Sequence, residues 1–318
     1  MGLWKPAARM TEEELARRTA PGAKSAGVQV ARLPGGGRLT YWEFGAPAGA
    51  PILALHGMGV SGLTFADHEP FFRERGLRCI APNVVGGLAE PSPSSRLVDF
   101  AAALVALADH LGLERFPVVG VSYGTLVAQA LIATAPKRVE RAGLFGPLLP
   151  GSWMSGRPEL SKGVRRNDAA LWSIARKQPW LLYPITALFG LSPMEMKIRS
   201  FVDDQLSPEE RALFEPGHPF HTSMARLFEE GGQRGYGYMA MGVEAGWGRD
   251  PGFTIEQLAA SGVPLFLFTG ARDNVHTPAM AEYLHEHVPG SRLELVPGRG
   301  RFACVGSFLE EGLARFLA

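Results

Sequence analysis

The sequence predicts an α/β protein: a mostly parallel, twisted sheet with helices on both faces and one inserted helical cap. Three observations predict it. Short apolar, β-branched runs alternate with segments of helical periodicity, the pattern left by parallel strands joined through covering helices. One such alternation, Phe116 to Ala135 (FPVVGVSYGTLVAQALIATA), passes from strand to helix through a single glycine-flanked turn. From about Pro147 to Gly252 the composition changes, and strand-like alternation disappears.

Size and charge bound the reading. The 318 residues are 46% hydrophobic with a formal charge of +1, enough for one large domain or a domain with an insertion. Neither a basic stripe nor an acidic excess is present, so neither nucleic acid nor a membrane is expected as partner. The two cysteines, Cys79 and Cys304, are too few for a disulfide framework and suit a reducing compartment. No apolar run reaches transmembrane length. The N-terminal stretch carries Lys5, Arg9 and Glu12-Glu13-Glu14 instead of an apolar signal core, so a cytoplasmic location is expected.

Residues 1–27 read as a peripheral arm, with Thr11 and Glu14 spaced for a capping box and Pro21-Gly22 as its breaker. Val28 to Leu33 and Arg38 to Phe44 read as strands joined by Pro34-Gly35-Gly36-Gly37. Ile52 to Leu55 is a buried strand running into His56-Gly57-Met58-Gly59, and Leu77 to Ala81 is the next strand. In Leu97 to Leu111, Ala101, Leu104, Val105, Ala108 and Leu111 have the spacing of one buried helix face. Strands at 117–119 and Ala142 to Phe145 follow. Strand Leu265 to Thr269, helix Pro278 to Val288, strand Leu293 to Val296 and helix Phe302 to Leu317 complete the pattern. The core is therefore expected over 28–146 and 253–318, with the helical cap over 147–252.

The turn in Phe116 to Ala135 is Gly120-Val121-Ser122-Tyr123-Gly124, a G-x-S-x-G between strand and helix. This is the nucleophile elbow: the serine occupies a strained turn, and the glycines permit backbone approach that side chains would block. The insertion holds four of the six tryptophans (Trp153, Trp172, Trp180 and Trp247) and six of the ten methionines. Most of these build the insertion's own core, yet such a lid also suggests an apolar pocket beneath it, with Trp153, Trp180 and Trp247 as pocket candidates.

With strands, elbow and insertion in this order, the chain resembles the α/β-hydrolase superfamily from about Val28 onward. His56-Gly57-Met58-Gly59 resembles the family's H-G-x-G. The resemblance implies oxyanion-hole donors at the backbone N–H groups of Met58 and Tyr123, with His56 ordering the loop and His56 and Gly57 among the pocket residues. Phe268-Thr269-Gly270-Ala271-Arg272-Asp273 resembles the segment ending in the family's acid, which makes Asp273 the candidate. After the eighth strand the family pattern is roughly Pro-Gly-x-Gly-His, whereas this chain reads Pro297-Gly298-Arg299-Gly300-Arg301, so Arg301 occupies the histidine position. Asn83 and Val85 likewise replace charged members of an Asp-x-Arg-Gly-x-Gly-like turn.

Arginine stays protonated and cannot take a proton from serine. Among the histidines, His68 and His110 sit on or beside core helices, and His285 and His287 at the far end of theirs. His218 and His221 belong to the cap. His276, on a loop just past Asp273, is the best substitute base, its alternative being a solvent-facing residue. Without its usual partner, Asp273 is expected to pair with Arg301. Three readings follow: a hydrolase of a small, largely apolar ester, thioester or lactone with Ser122 as nucleophile in a degenerate triad; a lyase, isomerase or cyclase using the same pocket; and a ligand-binding protein with a dead site. No metal and no organic cofactor is implied.

Overall fold

The computed structural model describes residues 27–34, 37–84, 95–224 and 237–318. The capping box read at Thr11 and Glu14, the Gly35-Gly36 centre of the first loop, and Val85 to Gly87 lie outside those residues.

Eight strands form one sheet: β1 (Gln29–Arg32), β2 (Arg38–Gly45), β3 (Ala50–Leu55), β4 (Leu77–Pro82), β5 (Phe116–Val121), β6 (Val139–Phe145), β7 (Leu265–Gly270) and β8 (Arg292–Val296). Their order across the sheet is β1-β2-β4-β3-β5-β6-β7-β8. The β1–β2 hairpin is antiparallel and β2 meets β4 antiparallel, while every pair from β4 to β8 is parallel. Each strand lies where apolar alternation placed it, one to three residues longer or shorter at its ends.

Alternation along the central strands splits the core in two, because successive side chains point to opposite faces. Leu53, Val118, Leu144 and Leu267 enter one cluster, covered by helices α2 (Leu97–His110), α3 (Tyr123–Thr134) and α11 (Pro278–His287). Their neighbours Ile52, Val119, Phe145 and Phe268 enter the other, covered by α1 (Glu69–Glu74) and α12 (Gly306–Leu317). Both faces of the sheet are therefore buried, which explains the near-continuous apolar strands.

Between β6 and β7 the described residues hold only helices and turns: α4 (Gly151–Met154), α5 (Arg166–Lys177), α6 (Leu182–Leu191), α7 (Met194–Arg199), α8 (Pro208–Ala212), α9 (Gly237–Val243) and, just before β7, α10 (Ile255–Ala260).

The last helix begins at Gly306, four residues later than the sequence pattern suggests. The turn before it is tied to the insertion by Glu210 in α8, whose buried carboxylate accepts the N–H groups of Gly300 at 3.0 Å and Phe302 at 2.8 Å.

Candidate active site

The candidate residues gather past the carboxyl ends of the parallel strands. Past β3 comes His56-Gly57-Met58, past β5 Ser122, past β7 Asp273 to His276, and past β8 Arg301.

Ser122 has φ 52° and ψ −118°, and among the described residues it alone combines a positive φ with a side chain other than glycine's hydrogen. The surrounding contacts hold that strained conformation. Its N–H donates to Phe145 O at 2.8 Å, and a Cβ on Gly124 would lie 2.2 Å from Leu55 O. A Cβ on Gly120 would likewise meet the Gly124 carbonyl at 2.7 Å. The elbow thus requires both glycines because strand β3, strand β5 and helix α3 meet there backbone to backbone. Ser122 is the N-cap of α3 but its hydroxyl caps nothing.

That hydroxyl instead meets His276, whose Nε2 lies 2.8 Å from Ser122 Oγ. On the other side of the ring, Nδ1 lies 2.9 Å from Asp273 Oδ2. A carboxylate can only accept, so Nδ1 carries the proton and Nε2 presents its lone pair to the serine O–H when the ring is neutral. The remaining Asp273 oxygen accepts the backbone N–H groups of Val275 and His276, each at 2.8 Å. The turn from Asp273 to His276 therefore folds around the carboxylate and returns the imidazole to it. Both side chains are buried.

This geometry corrects the expected pairing of Asp273 with Arg301. Arg301 Nη1 donates to Asp203 Oδ2 at 2.5 Å and to Asn274 Oδ1 at 3.0 Å, and Nη2 donates to Phe201 O. Asp203 also receives Arg165 Nε at 3.1 Å, and Arg165 N–H donates to Asn274 O at 2.8 Å. Asp273 is instead held by His276, two backbone donors and the Thr269 hydroxyl. Burial alone would push the Asp203 carboxyl up, but the Arg301 hydrogen bond and charge outweigh it and hold the group below its ordinary value. Asp168, beside Arg165 at 3.5 Å, moves the other way: burial raises it, and the charges of Arg165, Arg301 and His276 only partly offset that.

The donors expected at Met58 and Tyr123 are backbone N–H groups. Tyr123 opens α3, so its N–H is among those without an intrahelical acceptor. The Met58 N–H makes no backbone hydrogen bond among the described residues. Gly57 brings this turn against the serine: a Cβ placed there would lie 3.4 Å from Ser122 Cβ. His56 is buried behind it, with Nδ1 2.7 Å from Gly57 O and Nε2 accepting Val84 N–H at 3.0 Å.

A cavity of about 820 Å³ opens over Ser122 and His276, walled by Met58, Leu148, Leu171, Trp172, Phe189 and Trp247. Of the three tryptophans expected there, Trp247 lines it, stacked on Trp172 with ring centroids 4.9 Å apart. Trp153 does not. It is buried edge-on against Phe253. Trp180 is not a wall residue either, since it points outward from the insertion. Sequence reasoning named Trp172 only as an insertion residue and missed Asn274, Asp203 and Glu210. Polar residues inside an aperiodic insertion carry no spacing signal for partners that lie up to 98 positions away. Among the other histidines, His218 lines the cavity, His68 pairs with Glu310 at 2.8 Å, and His285 and His287 stay on α11. Among the described residues no cluster of His, Cys, Asp and Glu is arranged to hold a metal.

Comparison with known proteins agrees with this architecture. Haloalkane dehalogenase 2 of Mycobacterium tuberculosis is 32% identical over 120 residues, which cover 37% of this chain and 39% of that protein. The chain thus aligns with well under half the length of that curated relative. Crystal structures of a bromoperoxidase from Bacillus anthracis and a thermophilic esterase from Thermogutta terrifontis superpose with TM-scores of 0.64 and 0.63. Both superpositions cover 91% of this chain, with 98% and 97% of the respective structures, at 17% and 19% identity, a likeness of fold alone. The family model described as alpha/beta hydrolase fold matches residues 50–307, and the chain belongs to that family.

Proposed function

We propose that the protein hydrolyses acyl esters or thioesters, with Ser122 as nucleophile, His276 as general base and acid, and Asp273 as the group that orients and stabilises the imidazole. One observation carries this reading: the continuous chain from Asp273 Oδ2 through His276 to Ser122 Oγ, with contacts of 2.9 and 2.8 Å. It displaces the weaker expectation of a degenerate triad, because the base stands on the β7 loop and Arg301 is not required to serve as one.

In this reading Ser122 Oγ attacks the acyl carbon while His276 Nε2 takes its proton. The Met58 and Tyr123 N–H groups receive the charge that develops on the carbonyl oxygen. Collapse expels the alcohol or thiol oxygen or sulfur, which takes the proton from Nε2 and leaves an acyl-serine. Water then attacks that ester, gives a proton to His276, and the serine leaves with it. The strained elbow at the N-terminus of α3 holds Ser122 against the turn that carries Met58.

Relatives in this family carry names for other reactions, and chemistry distinguishes them. A serine that displaced halide from an alkyl carbon would be left as an ether, with no carbonyl for water to attack. An acyl-serine has that carbonyl and turns over with the same base and donors. The apolar cavity favours a substrate with a bulky hydrocarbon portion. The testing experiment is rapid-mixing hydrolysis of a p-nitrophenyl ester with intact-mass detection of an acyl adduct. An adduct mapped to Ser122 supports the reading, and ester turnover undiminished in Ser122→Ala sinks it.

A further inference from the structure

Helix α6 has two apolar faces. Its sequence, LYPITALFGL, contains no charged residue. Ile185, Thr186 and Phe189 line the cavity over Ser122. On the opposite side Pro184, Ala187, Leu188 and Leu191 are exposed, and Trp180 in the preceding turn continues that stripe at helical spacing. Trp180 is 67% exposed, Leu188 66% and Leu191 81%, with Met196 of α7 at 60%. A helix apolar all round belongs in a core or against something apolar. Here one half is satisfied by the cavity wall and the other faces outward.

Charge says what the outer face meets. Residues 176–199 carry Arg176, Lys177, Lys197 and Arg199 against Glu195 alone, a net of +3 in a chain whose total is +1, with Arg199 paired to Glu195 at 2.7 Å and Lys197 buried. Arg176 and Lys177 are exposed directly before Trp180. The buried Lys197 donates to Gly190 O at 2.7 Å, so the outer face owes its positive charge to Arg176 and Lys177. Two copies packed through this face by a twofold axis would oppose like charges, which disfavours self-association. Tryptophan and leucine beside basic residues match a headgroup boundary with anionic lipid.

We propose that the outer face of α6, with Trp180, Leu188 and Leu191 as its apolar anchors, docks on an anionic lipid surface, so that lipid esters enter the cavity from the bilayer. This reverses the expectation, drawn from overall composition, that no membrane is involved. Composition averages over the chain, and the stripe appears only once the fold shows which half of α6 the cavity occupies. The choice of lipid esters rests on the hydrolase reading, whereas the docking does not.

The test is co-sedimentation of the full chain with vesicles of phosphatidylglycerol and phosphatidylcholine, and with phosphatidylcholine alone. Binding to the mixed vesicles, weakened by salt, is the expected result. The triple variant Trp180→Ser, Leu188→Ser, Leu191→Ser should lower partitioning by at least about tenfold. The pair Arg176→Gln, Lys177→Gln should lower it by about fivefold per charge removed and supplies the same test if the triple variant fails to fold. Both variants should hydrolyse soluble p-nitrophenyl acetate like the parent while losing turnover of a long-chain ester embedded in the vesicles. No vesicle binding by the parent, equal binding to phosphatidylcholine alone, or a lipid-independent dimer dissolved by the triple variant would overturn the proposal. If instead vesicles bind but no ester is turned over, docking stands and the hydrolase reading fails.

Discussion

Arg301 and Asn274 are joined by a hydrogen bond of 3.0 Å, and Asn274 directly follows Asp273. Arg301 therefore braces the turn that carries Asp273 and His276. It does so together with Asp203 and Arg165 from the insertion. In the proposed reading acid and base share one turn, so no second histidine is needed at 301.

Arg301→His should accordingly give no gain in ester hydrolysis. Losing the Arg301 hydrogen bonds should cost on the order of 2 kcal/mol, because Arg301 is buried and Asn274 loses a charged donor, while Asp203 is partly exposed and keeps Arg165. Thermal unfolding and p-nitrophenyl ester turnover of the purified variant check both statements. A tenfold rise in turnover in a folded variant would show that position 301 still belongs to a base.

The pH dependence of stability separates the two insertion carboxylates. Asp203 is held below its ordinary value, so its contribution is present above about pH 4 and is lost as pH falls through its folded value. The stability difference between parent and Asp203→Asn should shrink in acid. Asp168 is raised, so its charge opposes folding at neutral pH and that penalty vanishes in acid. Asp168→Asn should be neutral or stabilising near pH 7. Denaturant titrations at several pH values read both slopes, and the same sign for the two variants would contradict the assignment.

Glu210→Ala should destabilise the protein by roughly 3 kcal/mol, since it strands the buried N–H groups of Gly300 and Phe302 along with its contact to Ser207 N–H at 3.1 Å. Hydrogen exchange should rise in residues 300–305 before it rises in the strands. Unchanged protection there would mean that the turn holds itself.

Gly124→Ala tests the elbow. Its Cβ would meet the Leu55 carbonyl oxygen at 2.2 Å, a contact with backbone that cannot rotate away. The variant should either fail to fold or shift Ser122 enough to abolish acylation, as judged by soluble yield and intact-mass adducts. Near-parental acylation would show that the helix can slide without disturbing the serine.

Much of this was legible before any coordinates. Two-face burial leaves continuous apolar strands, which is why the sheet could be read through β8, and the strand–turn–helix at 116–135 identifies Ser122 by local pattern alone. Met58, Tyr123 and Asp273 were named only through the resemblance of His56-Gly57-Met58-Gly59 and Phe268 to Asp273 to α/β-hydrolase motifs. His276 was visible only as a candidate. Its placement depends on the Val275 and His276 N–H groups folding onto Asp273, a tight turn that no periodicity encodes. Arg301 was misassigned for a related reason: its partner lies in the insertion, where Asp203 sits among short helices without a repeating pattern. Trp180 failed as a pocket residue because composition counts tryptophans without saying which side of a helix they occupy.

The identity of the base is best tested by the rate at which a fluorophosphonate labels Ser122 near neutral pH, in parent, His276→Ala and Arg301→Gln, each shown to be folded. With His276 as base, labelling should slow by at least about a hundredfold in His276→Ala and stay within about tenfold of parent in Arg301→Gln. Rapid labelling of Ser122 that survives His276→Ala would contradict that assignment.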